Sequence, residues 1–288
     1  MIELLALGSA VLYGSADFFG GLTARRANTI ATVFVSQFVG LILLLLVLPF
    51  LPAATVSSRD WVWGFVAGFS GGIGVALLYR ALAIGKMAVV APTTAVIAAI
   101  IPVVFAFVLG ERLRPLTLSG IALALVAIAL VSRPAQSAAS ERGQAKSRTV
   151  PPGFALALLA GVAVGVFFLS LARTTAAAGM WPLIAARIAS IVLFGTIALG
   201  TGRSLLMDGR ATVTAVTGGA LDMAANALYM IAARIGPLSI VVTLASLYPA
   251  STVILARVVL GERLSFVQIS GIVCALAAVL VIVGSTGP

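Results

Sequence analysis

Charged positions punctuate this chain at long intervals and leave roughly ten stretches of about 20 mostly apolar residues, the length a helix needs to cross a bilayer. The pattern predicts spans at 3–22, 29–50, 61–83, 87–109, 115–132, 153–173, 180–200, 211–233, 238–260 and 264–284, five in each half of the chain. A Leu-Gly-Glu-Arg-Leu string closes the fourth span at Leu109 to Leu113 and recurs at Leu260 to Leu264. Ser119-Gly120-Ile121 is answered by Ser270-Gly271-Ile272. At the same offset of 151 residues Gly14 meets Gly165, Ala76-Leu77 meet Ala227-Leu228, and Ile84-Gly85 meet Ile235-Gly236. The chain reads as a duplication. Because each half holds an odd number of spans, the second half enters the membrane in the opposite sense to the first. The expected fold is therefore an all-α membrane protein whose ten transmembrane helices form two inverted repeats of five (5+5) about an axis in the membrane plane. Residues 1–132 make the first repeat, 133–152 a polar linker and 153–288 the second repeat. Such a duplication is the sequence signature of a transporter whose site lies where the repeats meet.

Composition agrees with a membrane solvent. Hydrophobic residues make up 61% of the chain and charged residues 9%, with a mean hydropathy of +1.21, too few polar groups to cover a water-soluble globule. The first span reads as retained rather than as a signal peptide, since Glu3 is its only early charge and no basic segment precedes it. The single cysteine, Cys274, reads as a small buried apolar residue, and histidine is absent. Metal sites, Cys-His nucleophiles and Ser-His-Asp triads are thereby removed, so no enzyme, no metal and no cofactor is expected. No phosphate-binding glycine loop and no segment long enough for an ATPase domain is present, which excludes primary active transport by this chain alone.

The formal charge of +10 is spread singly over short loops rather than gathered on one face, so no nucleic-acid partner is expected. Topology explains the basic residues better. Arg25, Arg26, Lys86, Arg133, Arg142, Lys146, Arg148, Arg203, Arg210 and Arg263 lie opposite the termini, whereas Arg59, Arg112, Arg114, Arg173 and Arg234 share the side of the termini. Ten against five would put both termini outside the cytoplasm. Four of the ten sit in the linker from Arg133 to Pro152, which reads as a mobile solvated loop because it has almost nothing to bury.

The segment Leu244-Ala245-Ser246-Leu247-Tyr248-Pro249, with Thr252, Leu260-Gly261-Glu262-Arg263-Leu264, Gln268 and Gly271, resembles the EamA-like family of the drug/metabolite transporter superfamily. Its counterpart in the first half is looser: Ala91-Pro92-Thr93-Thr94 and Pro102 stand in place of the Leu-Tyr-Pro arrangement, while Gly110-Glu111-Arg112-Leu113 is intact. Tyr13-Gly14-Ser15 with Phe18 is similar to the family's aromatic-Gly-Ser opening. Length and span number look like the amino-acid exporters of the YddG type. The resemblance implies a ten-helix basket in the bacterial inner (plasma) membrane, its termini in the cytoplasm, against the charge count. It further implies that spans 3, 4, 8 and 9 surround a central cavity, spans 1, 2, 6 and 7 act as gates, and spans 5 and 10 lie outside.

Polar groups inside the spans are the site candidates. Asp222, Asn226 and Tyr229 fall at i, i+4 and i+7 on one helix face, and Ser9, Tyr13 and Asp17 repeat that spacing in the first span. Intramembrane carboxylates cost several kcal/mol and normally face a partner or a water-filled cavity, so Asp17 and Asp222 are functional candidates or else satisfy buried partners. Arg187, well inside its segment, could hold a substrate carboxylate, pair with an intramembrane Asp or snorkel to the headgroups. Arg80 and Arg257, near span ends, read as snorkelling. Glu111 and Glu262 read as structural hinges that offset a helix dipole and pair with the adjacent Arg. Thr93, Thr94 and Pro92 in span 4, and Thr243, Ser246, Tyr248, Pro249 and Thr252 in span 9, suggest helix breaks at matching depth, either at a binding site or as kinks alone. Gly64, Gly68 and Gly72, and Gly161 with Gly165, follow small-xxx-small spacing.

The expected lining is Tyr13, Tyr79, Tyr229 and Tyr248, a few hydroxyls, one amide, two carboxylates and at most one arginine. It suits a small, partly apolar or zwitterionic solute better than a sugar phosphate, which would call for several Lys or Arg. The reading is a secondary transporter that exports small metabolites such as aromatic or other neutral amino acids by alternating access. Its partners are that small-molecule substrate and the lipid bilayer, and it works as a monomer or weak homodimer. A drug or other organic solute, a passive channel and a membrane-embedded enzyme are the rival readings.

Overall fold

The computed structural model describes residues 1–85, 87–131, 152–261 and 265–286. Lys86, the linker residues Arg133, Arg142, Lys146 and Arg148, and Glu262-Arg263 lie outside the described residues, and with them the loop and hinge readings of those positions. Eleven α-helices run through the described residues: α1 (Ile2–Ala24), α2 (Thr29–Val47), α3 (Ser58–Ile84), α4 (Met87–Val108), α5 (Pro115–Val131), α6 (Phe154–Ala172), α7 (Trp181–Thr201), α8 (Gly209–Ile235), α9 (Leu238–Ala245), α10 (Tyr248–Leu260) and α11 (Phe266–Thr286). Seven spans are long and apolar enough to cross a bilayer, with Leu238–Leu260 counted as one, and α4 and α5 add shorter apolar stretches. The length of α8 suffices, but it carries Arg210, Asp222, Asn226 and Arg234. It is tolerated because α1 and α2 pack along it and give those groups protein rather than lipid to face.

Local chemistry sets the ends. Ser57 and Asp60 form a reciprocal capping box at the start of α3, and Asp208 accepts from the Ala211 N–H at 2.6 Å at the start of α8. Gly110 and Gly261, the glycines of the repeated string, have φ of 88° and 69° and close α4 and α10 in the left-handed conformation. The string is thus a helix stop. Glu111 does not sit on a helix start beside a paired Arg112; it lies past the end of α4 and accepts from the Ser239 hydroxyl on α9.

The ninth span breaks at Ser246-Leu247 and restarts at Tyr248 with Pro249 in its first turn, a position that needs no N–H donor. The expected matching break in span 4 is absent: α4 runs unbroken past Pro92 and Pro102. Gly165 of α6 packs beside the Ala98 carbonyl, the acceptor that Pro102 leaves free, so the backbone there is covered without opening the helix.

Helix α1 packs on α8, α10 and α9; α3 packs on α6 and α7; α2 packs on α7 and α8; and α4 packs on α6, α9 and α10. Helices α5 and α11 pack chiefly on each other, and α5 also touches α4, α9 and α10. Close approach is set by glycine: a Cβ on Gly14 would stand 2.1 Å from the Tyr248 carbonyl of α10, and one on Gly68 would stand 2.3 Å from the Ala186 carbonyl of α7.

Candidate functional site

Where α1, α2, α3, α6, α7, α8 and α10 converge at mid-depth they leave a cavity of about 50 Å³. One wall is aromatic. Tyr13 meets Phe168 edge-on at 5.6 Å and Tyr248 at 6.4 Å, and Phe167 adjoins Phe168 at 5.6 Å. Beside this wall runs a glycine-lined face of α3, Gly68, Gly71 and Gly72, which lies against Phe167 at Gly71 and lets α7 approach closely enough for the Ser190 hydroxyl to donate to the Gly68 carbonyl at 2.7 Å.

A chain of hydrogen bonds crosses the cavity and joins four helices. The Tyr13 hydroxyl on α1 donates to Asn226 Oδ1 at 2.7 Å, and Asn226 Nδ2 on α8 donates to Asp222 Oδ2 at 3.1 Å and to the Asp222 carbonyl at 2.7 Å. Arg187 Nη2 on α7 forms an ion pair with Asp222 Oδ2 at 2.7 Å, and Arg187 Nη1 donates to Gln37 Oε1 on α2. Of the three readings of Arg187, geometry selects the intramembrane carboxylate. Each terminal nitrogen has a partner, while Nε is buried beside Gly40 of α2 with no partner among the described residues. The close counter-charge of Asp222 is what makes such burial tolerable in a low-dielectric setting.

The structure gathers Tyr13, Asp17, Arg187, Asp222, Asn226 and Tyr248 around the cavity. It does not bring the other candidates there. Tyr229 is fully buried between α8 and α6, its ring 4.6 Å from Phe168 and its hydroxyl donating to the Phe168 carbonyl at 3.0 Å. Thr94 donates to the Ala157 carbonyl of α6 at 3.1 Å, and neither it nor Thr93 is among the residues that line the cavity. Tyr79 is buried over Gly20 of α1, and the Ser246 hydroxyl is buried at the α9–α10 break with no partner among the described residues. Among the described side chains span 4 supplies no wall of this cavity, unlike the arrangement that the resemblance implied. Gln37 and the Phe167-Phe168 pair were missing from the sequence reading. A lone amide in the apolar run Val33 to Leu46 was the available signal for Gln37; nothing distinguishes the two phenylalanines from ordinary core residues.

Helices alternate in direction, so the connections 48–57, 109–114, 173–180 and 236–237 share the face of Met1. That face is tied shut. The Asp60 carboxylate accepts from the Thr175 N–H at 2.7 Å and the Thr175 hydroxyl at 3.1 Å, while Arg234 donates to the Gly179 carbonyl at 2.7 Å and to Thr174 Oγ1 at 3.1 Å. Trp61 and Trp181 meet edge-on at 5.9 Å beside this clasp. On the opposite face, among the described residues, Thr23 donates to Thr214 at 2.7 Å, and Arg203 reaches Asn28 at 3.4 Å. Here Arg80, Arg203 and Asn28 line a second hollow.

The EamA-like transporter family model matches residues 1–133 and again residues 151–284. A comparison with curated proteins finds no significant match. One solved crystal structure of a protein superposes with a TM-score of 0.70 over 97% of this chain and 95% of the other at 19% sequence identity, a likeness of fold.

Proposed function

Because this chain belongs to the EamA-like transporter family, we propose that it is a secondary transporter that exports small organic metabolites with an amino group and an apolar or aromatic body across the bacterial inner membrane by alternating access. That class includes the solutes of the YddG-type amino-acid exporters that the sequence resembles. The observation that carries the reading is the cavity at mid-depth, lined by Tyr13, Phe167, Phe168 and Tyr248, on a fold whose Met1 face is held together by the bonds of Asp60 and Arg234.

The helix pairings support two inverted repeats, 1–132 and 153–288, joined by the linker 133–152. The packing of α1 on α8 is answered by α3 on α6, α2 on α8 by α3 on α7, and α1 on α9 and α10 by α6 on α4, while α2–α7 and α5–α11 pair with their own counterparts. An exchange of halves maps these pairings onto one another or onto themselves, as a two-fold axis in the membrane plane requires. The test is counterflow in liposomes of the purified chain, with labelled amines and amino acids. Saturable uptake accelerated by solute trapped inside is the expected result; uptake that rises linearly with concentration, or is indifferent to trapped solute, would refute the carrier reading.

A further inference from the structure

Among the described residues that line the cavity, Asp17 is the carboxylate left without a hydrogen-bond or ion-pair partner. No hydrogen bond or ion pair joins its carboxylate to any described residue, and it borders the cavity four residues beyond Tyr13 on the same face of α1. The charge acting on it is a second carboxylate, Asp222 of α8, and its other ionisable neighbours are the phenols of Tyr13, of Tyr79 on α3 and of Tyr248 on α10. No arginine or lysine of the described chain offsets it: Arg187 is spent on Asp222 and Gln37, and Arg25 and Arg26 lie outside the cavity. With Asp17, Asp222 and Arg187 all charged, the cavity would carry one uncompensated negative charge at mid-depth, which the membrane interior does not tolerate.

The same inventory says what can neutralise it. A cation must come from outside the chain, and the aromatic rings beside the carboxylate favour an organic one, since their faces attract a cation electrostatically. A solute carboxylate finds no uncompensated cation among the described lining residues, because the charge of Arg187 is already met by Asp222.

We propose that Asp17 anchors the protonated amine of the solute, and that in the empty cavity it holds a proton which the amine displaces. The proposal rests on the transporter reading and narrows it: the recognised group is the ammonium alone, so amines are preferred to the corresponding amino acids. The exchange balances, with R–NH3⁺ and the carboxylic acid giving the ammonium–carboxylate pair and one proton to the aqueous side from which the solute came. Solute and proton then occupy Asp17 in turn, which makes the carrier a proton antiporter.

Binding is measured first, on the purified full chain in detergent, by isothermal titration with phenethylamine, phenylalanine and hydrocinnamate, which share one ring and differ in charge. Repeating the titration in buffers of different ionisation enthalpy counts protons. Phenethylamine should bind with release of a proton, more weakly as the pH falls. Hydrocinnamate should bind roughly ten- to hundredfold more weakly, the fold-change of one lost charge-assisted contact, and phenylalanine more weakly as well, because its carboxylate brings a negative charge that nothing in the cavity offsets. Asp17→Asn should lose phenethylamine binding and proton release together, and Asp17→Glu should keep both. Equal affinity for phenylalanine, or phenethylamine binding without proton release by the wild-type protein, would overturn the proposal whether or not Asp17→Asn folds. Flux in liposomes separates the two claims. Phenethylamine bound with proton release but never moved keeps the site and refutes transport, whereas phenylalanine carried in preference keeps transport and refutes the site.

Discussion

Replacing Arg187 by leucine should be among the most damaging single changes in the membrane interior, and repairable by a second change at Asp222. The ion pair is 2.7 Å long, with side chains only 6% and 16% exposed. Arg187→Leu strips Asp222 of its counter-charge and Gln37 of its donor, leaving Asn226 as the remaining support of the carboxylate. Breaking a buried pair by removing one partner costs about 3 to 5 kcal/mol, whereas replacing both by apolar residues is often neutral or better. The expected cycle is therefore a loss of about 3 to 5 kcal/mol for Arg187→Leu, a comparable loss for Asp222→Leu, and a double variant within about 1 kcal/mol of the wild type. Unfolding by a denaturing detergent, followed through fluorescence of the tryptophans, supplies the three free energies. If the single effects add to the double effect within about 0.5 kcal/mol, the two side chains are independent, and the internally neutralised pair that frees Asp17 to be the recognition group is refuted.

The other expectations are simpler. Tyr229→Ala should cost about 3 to 5 kcal/mol of stability by opening a hole between α8 and α6, and Tyr229→Phe about 1 kcal/mol; a Tyr229→Ala protein as stable as the wild type would place the ring in the cavity after all. Gly14→Ala drives a methyl against the Tyr248 carbonyl and should cost about 3 kcal/mol or more, whereas Gly200→Ala meets nothing within 4 Å and should be neutral or stabilising by about 0.5 to 1 kcal/mol; melting in detergent ranks the two. Gly110→Ala imposes a side chain on a left-handed cap and should cost about 1 kcal/mol, measured in the same way. Asp60→Asn weakens the clasp on the Met1 face and should raise quenching of Trp61 and Trp181 by an aqueous quencher; unchanged quenching would mean that the clasp does not control access.

The spans could be read from sequence because the bilayer dictates both length and composition of each helix, and the repeated Leu-Gly-Glu-Arg-Leu string marked where α4 and α10 stop. Helix rotation was not legible. Thr93 and Thr94 look like a polar lining in the one-dimensional pattern, yet Gly161 and Gly165 bring α6 so close to α4 that Thr94 is turned against the Ala157 carbonyl. Tyr229 shares a helix face with Asp222 and Asn226, but it lies a turn deeper and meets Phe168 instead of open space. For Arg187 the sequence left three partners open, since the residue that decides, Asp222, is brought within reach only when α2 yields space at Gly40. Gln37 was passed over as a lone amide, and Phe167 and Phe168 carry no mark that sets them apart from other apolar residues.

The clasp on the Met1 face sets what opening that face requires. Opening it breaks the bonds of Thr175 to Asp60 and of Arg234 to Gly179 and Thr174 at once, contacts to charged groups that contribute about 1.5 to 3 kcal/mol each when intact. All of these bonds converge on the connection between α6 and α7, so a movement of that connection is passed on to α3 through Asp60 and to α8 through Arg234.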